Sequence, residues 1–335
     1  MIPGTGLDGE LSMSVIARRA RPTEETLDEA PGARRALGKG IRPGRRQENV
    51  TAYAMIAPMV ILLGIFVMWP LVYAFYLSGF EISFYQDPKF VGLQFYEYVL
   101  TDERFWRALR VGVGYAAMVV PTGMLIGLLI ASFIKTLSIR MAAFMKTTIY
   151  VPAVVSTVVA SVLFVFMYQD QGVANWLLSL LRAGPVNWLN SPSVALPAIA
   201  VPGIWLGLGF TTLVMLAGLL DIPESYYESA ELDGAGFVKR TWYITLPLLK
   251  NVLLYLFVTG LVGAIQMLDL PLIMTNGGPV DATTTPNLFI FNTFRDGTEY
   301  STSFSLTAAL LLFMVLGTIS ALVFRLVNSE KAMDA

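Results

Sequence analysis

The chain has 335 residues, of which 55% are hydrophobic and only 14% are charged, with a formal net charge of −1. Soluble globular proteins carry about 45–50% apolar and about 25% charged residues, so the composition indicates a chain whose solvent is lipid. There is no Cys, which excludes disulfides and thiolate metal sites, and no His, the commonest general base and metal ligand. We therefore expect neither a metal site nor a catalytic residue.

The chain changes character near residue 50. Residues 1–50 are polar and rich in Arg, Pro, Gly and Glu, without a periodic apolar face. Such a segment is expected to be disordered or only loosely helical. The sequence allows a start at Met1 or at Met13. We assign 1–50 as an N-terminal segment and 51–335 as a transmembrane domain.

Six stretches are long and apolar enough to cross a membrane, which takes about 20 residues each. They are Tyr53–Leu77, 111–134, 144–167, 196–220, 252–274 and 305–327. The sequence therefore predicts an all-α integral membrane protein with six transmembrane helices.

The basic residues give the orientation of these helices. If the N-terminus is cytoplasmic, 17 of the 23 Lys and Arg residues fall on the inside and six on the outside. Lys and Arg are enriched in cytoplasmic loops. We therefore expect both termini, and the loop at 222–249, to be cytoplasmic.

That loop, the 222–249 segment, is unusually rich in polar groups for a connector and reads "IPESYYESAELDGAGFVKRTWYITLPLL". Pro223 suits the first turn of a helix, and Glu224 and Glu228 follow where the helix dipole favours anions. Gly234 allows a sharp turn, after which a second short helix is predicted at about 237–244. An interfacial helix resting on lipid is the alternative, but such helices are usually basic, and the acidic first half favours docking to a protein.

The spacing within this segment resembles the EAA loop of ABC importer permeases. That motif reads Glu-Ala-Ala, three residues, Gly, nine residues, then Ile-x-Leu-Pro. Glu228, Ser229 and Ala230 match the triplet, with Ser in place of the second residue, and Gly234 follows at the required distance. The pattern closes with "ITLP", residues 244–247.

A second stretch, "LIMTNGGPVDATTTPNLFIFNTF", is similar to the fifth core span of carbohydrate-uptake permeases of the maltose-permease type. The resemblance covers roughly 52–328. It implies a type I ABC importer permease core with six transmembrane helices and cytoplasmic EAA coupling helices. It also implies that the chain moves a sugar, such as a di- or oligosaccharide, inward across a bacterial or archaeal cytoplasmic membrane.

The resemblance further implies four partners: a second homologous permease, a dimeric ABC ATPase at the cytoplasmic face, an extracytoplasmic sugar-binding protein and membrane lipid. ATP and Mg would bind the ATPase, because this chain has no P-loop. No cofactor and no nucleic acid are expected on this chain. The residues expected to couple to the ATPase are Tyr226, Tyr227, Glu228, Ser229, Ala230, Asp233, Gly234, Phe237, Ile244, Leu246 and Pro247.

Sugar sites combine aromatic faces with hydrogen-bonding groups in a partly wet cavity. Asp269 is an acid within the fifth span, where an ionisable residue marks a functional site by default. Asparagines that contact sugar in the maltose permease are not reproduced here, which leaves the ligand open. The predicted substrate-path residues are Trp205, Leu206, Gly207, Phe210, Gln266, Met267 and Asp269.

Two other functions remain open from the sequence. An importer permease for another solute, such as an amino acid or a glycerol-phosphate ester, would share the EAA loop. An integral-membrane enzyme or a scaffold is the remote alternative, against which the missing His and Cys and the motif spacing both argue.

Overall fold

The computed structural model describes residues 45–83, 87–298 and 300–329. Of the N-terminal segment predicted to be disordered or loosely helical, residues 1–44 lie outside the described part. Residues 45–50 are instead the first turns of a helix. The chain divides into two compact units, Met1–Pro70 and Leu71–Ala335.

The first unit is helical throughout its described part. Helix α1 (Arg45–Leu63) continues into a π-helical turn (Gly64–Met68), and α2 (Trp69–Leu77) begins in the last two residues of this unit and continues into the second. Pro70 has no N–H to offer the carbonyl four residues earlier. The helix widens just before it, and the Trp69 N–H donates to the Gly64 carbonyl five residues back.

The second unit holds the remaining elements. A small antiparallel hairpin pairs β1 (Phe80–Glu81) with β2 (Lys89–Phe90), a minor addition to the predicted all-helical fold. The helices are α3 (Gln94–Thr101), α4 (Glu103–Lys135), α5 (Ile139–Val154), α6 (Thr157–Met167), α7 (Val173–Leu180), α8 (Ala195–Leu220), α9 (Glu224–Leu232), α10 (Phe237–Arg240), α11 (Leu246–Leu248), α12 (Lys250–Ile265), α13 (Asp269–Met274), α14 (Pro286–Arg295) and α15 (Ser301–Ser329).

Within the described residues, five helical stretches are long and apolar enough to span a membrane, and a sixth is a bent pair. The predicted span at 144–167 falls in this bent pair, in which α5 and α6 meet at 91°. Val155 and Ser156 adopt extended backbone angles, with ψ of 133° and 136°, and separate the two helices. The surrounding run of Val and Thr weakens the helix preference, since β-branched side chains lose rotamer freedom in a helix.

Glycines set the spacing between the central helices. A Cβ added to Gly209 of α8 would lie 2.7 Å from the Ile149 carbonyl oxygen of α5. One added to Gly127 of α4 would lie 3.0 Å from the Thr211 methyl of α8. Lipid tails are as apolar as the side chains, so helices in membranes associate through close packing of this kind. The α4–α8 pair forms the centre of the second unit.

We predict that Gly209→Ala destabilises the protein, because the new methyl group meets backbone rather than a movable side chain. Overpacking costs roughly 1–3 kcal/mol, and each kcal/mol lowers the melting temperature by about 2–4 °C for a domain of this size. Thermal unfolding in detergent measures the shift. Gly207→Ala, on the same helix with no atom within 4 Å of its added Cβ, is the matched control. Equal melting temperatures would contradict this packing.

Candidate functional site

The fifth predicted span is broken at residues 266–268, between α12 and α13. The break frees backbone carbonyls, and side chains from the start of α14 satisfy two of them. The Asn287 Nδ2 atom donates to the Gln266 carbonyl at 2.7 Å, and the Thr285 hydroxyl donates to the Met267 carbonyl. Irregular backbone at membrane depth is tolerated where protein or a cavity covers it. The break is thus stabilised by hydrogen bonds and lies next to the predicted path.

A cleft of about 180 Å³ lies between α4, α8 and α12 and reaches this break. On α8 it is lined by Gly203, Gly207 and Thr211, which share one face because they are four residues apart. Met267 and Tyr115 lie on its other sides. Among the described residues, no charged side chain lines the cleft.

Tyr115 is a residue that sequence reasoning missed. Its side chain is 1% exposed, and its hydroxyl has no hydrogen-bond partner among the described residues. A buried unpaired hydroxyl costs about 1–3 kcal/mol. The available signal was a tyrosine in the middle of an apolar stretch, "VGYAAMVV", where a phenylalanine would bury the same ring without that cost.

Of the α8 residues predicted to line a path, Gly207 lines this cleft, and the other three lie elsewhere on the helix. Trp205 lies about 200° around the helix from it and packs edge-on against Phe164, with ring centres 5.7 Å apart. Leu206 is half-buried against the same core. Phe210 is exposed on the outer surface of the described chain.

The three predicted residues at the helix break differ in their exposure. Met267 lines the cleft, whereas the Gln266 side chain is exposed at the end of α12. Asp269 is exposed rather than enclosed, in the first turn of α13, where the helix dipole favours an acid. The structure therefore brings Gly207 and Met267 together with Tyr115, and leaves Asp269 at the surface of this chain.

The 222–249 segment is a helix–turn–helix, as predicted. Helix α9 ends in a Schellman motif: the Gly234 N–H donates to the Glu231 carbonyl at 3.0 Å and the Ala235 N–H to the Ala230 carbonyl at 2.9 Å. Gly234 has φ of +73°, which L side chains adopt only at a cost. Pro223 has ψ of 135° and precedes the helix, so it is the N-cap and not the first helical residue as predicted.

Past the turn, α10, a π-helical turn (Thr241–Thr245) and α11 continue without interruption to residue 248. The second helix is therefore longer than the predicted 237–244. The Arg240 and Glu231 side chains form an ion pair at 3.3 Å across the turn.

The motif residues divide between two faces of this segment. The exposed ones are Tyr226, Glu228, Ser229, Asp233, Gly234, Phe237 and Pro247. The half-buried ones are Tyr227, Ala230, Ile244 and Leu246, of which Tyr227 and Leu246 pack against a buried apolar cluster.

Tyr227 lies on the inner face of the segment because its ring contacts the end of α4. The Lys135 ammonium at the end of α4 lies 4.4 Å from the Tyr227 ring centre and 3.8 Å from a Glu224 carboxylate oxygen. The Tyr227 hydroxyl is 3.1 Å from the hydroxyl of the buried Thr245. These contacts join α9, the π-helical turn and the end of a spanning helix.

Apolar packing reinforces the same junction. Ile222 and Leu249, the outer ends of the segment, are buried in one cluster with Ile134 of α4 and Leu216 of α8. The two ends of the 222–249 segment are therefore anchored in the spanning helices, while its middle projects a polar and aromatic surface.

Two proteins of known name are similar to this chain over most of its length. The trehalose/maltose transport system permease protein MalF of Thermococcus litoralis is 34% identical over 75% of this chain and 85% of its own length. The lactose transport system permease protein LacF of Rhizobium radiobacter is 30% identical over 86% of this chain and 97% of its own.

A solved bacterial ABC transporter involved in the import of the acidic polysaccharide alginate shares the fold. It matches with a TM-score of 0.71 and 23% identity, over 84% of this chain and 96% of that one. The family described as "Binding-protein-dependent transport system inner membrane component" matches residues 123–332, which include the 222–249 segment and the helix break. The chain therefore belongs to the binding-protein-dependent transport system inner membrane components.

Proposed function

We propose that this chain is one permease subunit of an ATP-binding-cassette importer that moves a neutral di- or oligosaccharide inward across the cytoplasmic membrane. A separate ATPase drives it through the 222–249 segment. The observation that carries the proposal is the division of that segment into an exposed docking face and an inner face anchored in the spanning helices.

The exposed face has the composition of a protein contact. Tyr226 and Phe237 are 53% and 58% exposed, and large aromatic side chains are enriched at interface hot spots. Glu228 adds an anion that can pair with a basic group on the ATPase. Gly234 and Ser229 leave room for close approach. ATP and Mg belong to the ATPase in this proposal.

The neutral cleft supports a neutral substrate. Tyr115, Gly207 and Met267 line it, and Gln266 lies at the helix break beside it. The relatives named for trehalose, maltose and lactose favour a sugar. An anionic solute such as a glycerol-phosphate ester would need basic groups that this cleft lacks.

The partners follow from the same account. The exposed surfaces of Phe210, Gln266 and Asp269 fit contact with a second permease across the path. A related solved transporter was crystallised with an alginate pentasaccharide-bound periplasmic protein, which supports delivery by an external binding protein here. The charge distribution supports cytoplasmic termini and a cytoplasmic 222–249 segment.

Reconstitution tests this function. The complete importer in proteoliposomes, with its binding protein outside and ATP inside, should take up radiolabelled trehalose, maltose or lactose in a saturable, ATP-dependent way. Uptake of amino acids or glycerol-phosphate alone would favour the alternative substrate class. Uptake that needs no ATPase would overturn the proposal.

We predict that Glu228→Lys and Gly234→Asp lower sugar uptake at least several-fold while the protein still inserts and assembles. The first reverses a docking charge, and the second strains a turn at φ +73°. Gly234→Asn is the matched control, because Asn tolerates this conformation better than other L residues. The readout is uptake per ATP hydrolysed in proteoliposomes. Normal coupling in both variants would contradict the docking role.

We predict that Lys135→Gln weakens coupling without removing ATPase docking. It keeps a long polar side chain but loses the charge that faces the Tyr227 ring and Glu224. Cation–π contacts are worth about 0.5–1 kcal/mol at exposed sites, so uptake per ATP should fall about two- to fivefold. The co-purified ATPase serves as the docking control. Loss of the ATPase from the purified complex would show a docking role instead.

We predict that Tyr115→Phe lowers sugar uptake while leaving the melting temperature unchanged or higher. The hydroxyl has no partner within the described residues, so folding loses no hydrogen bond when it is removed. The hydroxyl is buried in this conformation, so a sugar reaches it only when the cleft opens. Loss of that one hydrogen bond, worth about 1 kcal/mol, raises the KM about fivefold. Gln266→Ala should act in the same direction. Unchanged uptake kinetics in both variants would contradict the placement of the path.

A further inference from the structure

A second cleft, the Trp188 cleft, lies at the end of α6 away from the 222–249 segment. It encloses about 600 Å³ and is lined by Tyr168, Gln169, Asp170, Asn187, Trp188 and Asn190, among others. Its residues come from the end of α6 and from the loop before α8, which are separated by α7.

The aromatic part of this cleft is held rigidly. The Trp188 ring stacks on Tyr168 with centres 5.4 Å apart and planes at 25°. The Trp188 Nε1–H donates to the Asn175 side-chain oxygen at 3.1 Å, and the Tyr168 hydroxyl donates to the Ala198 carbonyl at 2.9 Å. The polar atoms of both side chains are thus hydrogen-bonded within the protein. These bonds and the stacking contact together fix the position of each ring.

Asn175 organises the surrounding loop. It is 5% exposed, and its side-chain oxygen also accepts the Val186 N–H at 2.9 Å. Its amide nitrogen donates to the carbonyls of Gln169 and Val186 at 3.3 and 3.2 Å. Buried amides this fully satisfied specify one local structure. The loop is therefore preformed before any ligand arrives.

The polar side chains around the aromatic pair are not used in this way. Those of Gln169, Asp170, Asn187 and Asn190 are exposed, and none takes part in a hydrogen bond within the part of the chain that the structure describes. Amides offer both donors and acceptors, and a carboxylate offers acceptors only. Four free polar groups thus border a fixed aromatic surface.

This combination suits a sugar ring. A pyranose has an apolar C–H face that packs on an aromatic ring and a rim of hydroxyls that hydrogen-bond to amides and carboxylates. Clefts of about 300–1,000 Å³ hold small ligands, so the volume accommodates one or two rings. Asp170 disfavours a carboxylated or sulfated sugar by charge repulsion.

The Trp188 cleft and the predicted path lie at opposite ends of the short helix α13. Met274 lines it at the end of α13, and the other end of α13 adjoins the break at Gln266 and Met267. Six helical residues span about 9 Å. We propose that the Trp188 cleft is an outer sugar subsite, which holds a neutral sugar ring one short helix away from the path. The inference rests on the proposed function for its ligand class.

Equilibrium binding of tritiated maltose, trehalose and lactose tests this site, using the whole importer complex in nanodiscs without its binding protein. We expect saturable binding of at least one of these sugars. Asn187→Ala combined with Asn190→Ala should weaken it about tenfold, which corresponds to about 0.7 kcal/mol for each of the two hydrogen bonds lost. Mannitol, which lacks a ring face, and digalacturonate, which is anionic, should not compete.

Two controls locate the effect. Gln94→Ala removes an exposed amide of α3, outside the cleft, and should leave binding unchanged. Gln266→Ala is the comparison variant, because it alters the path and removes no group that lines the Trp188 cleft. Loss of binding in Gln266→Ala but not in the Asn187→Ala/Asn190→Ala variant would place the sugar in the path and overturn the subsite.

Other outcomes are equally decisive. Full uptake by the complete importer without any binding to the nanodisc complex would overturn the subsite and leave the proposed function intact. No uptake of any sugar would instead overturn the proposed function. If the Asn187→Ala/Asn190→Ala variant binds sugar normally but loses affinity for the binding protein, the surface is a protein contact and the subsite is refuted.

Discussion

The close approach of α8 to its neighbours is the constraint on which the other features depend. Gly209 permits contact with the α5 backbone, Gly127 of α4 admits Thr211, and Gly218 faces Leu249 at the end of the 222–249 segment. A larger residue at any of these points would separate the helices. Helix α8 therefore borders the cleft near its middle and the 222–249 segment at its end.

In the proposed importer, movement of the 222–249 segment would be transmitted to its neighbouring helices. The segment is held by buried Ile222 and Leu249, and by Tyr227 against Lys135, so it is attached to α4, α8 and α12 together. These three helices border the cleft of about 180 Å³ that Tyr115 lines. The break between α12 and α13 lies beside the same cleft, and its Gln266 and Met267 carbonyls accept hydrogen bonds from Asn287 and Thr285.

Residue type and spacing predicted the features that are local in the chain. Length and apolarity located the spans, and Gly234 with its neighbours predicted the turn in the 222–249 segment. The bend at Val155 and Ser156 has no hydropathy signal, because both of its arms are equally apolar. Which of Tyr226 and Tyr227 faces inward depends on Lys135, far away in sequence. The contact of the Trp205 ring with Phe164 has no signal in the sequence, and neither does the absence of a partner for the Tyr115 hydroxyl among the described residues.

Photo-crosslinking from single cysteines tests the central claim, since the chain has no Cys of its own. A benzophenone attached at Tyr226→Cys would probe the exposed face of the 222–249 segment, and one at Val280→Cys would probe the opposite end of the α12–α13 span. In the assembled importer, we expect the Tyr226→Cys variant to crosslink to the ATPase and the Val280→Cys variant not to. Crosslinks to the ATPase from Val280→Cys, or none from Tyr226→Cys in a complex that hydrolyses ATP, would contradict it.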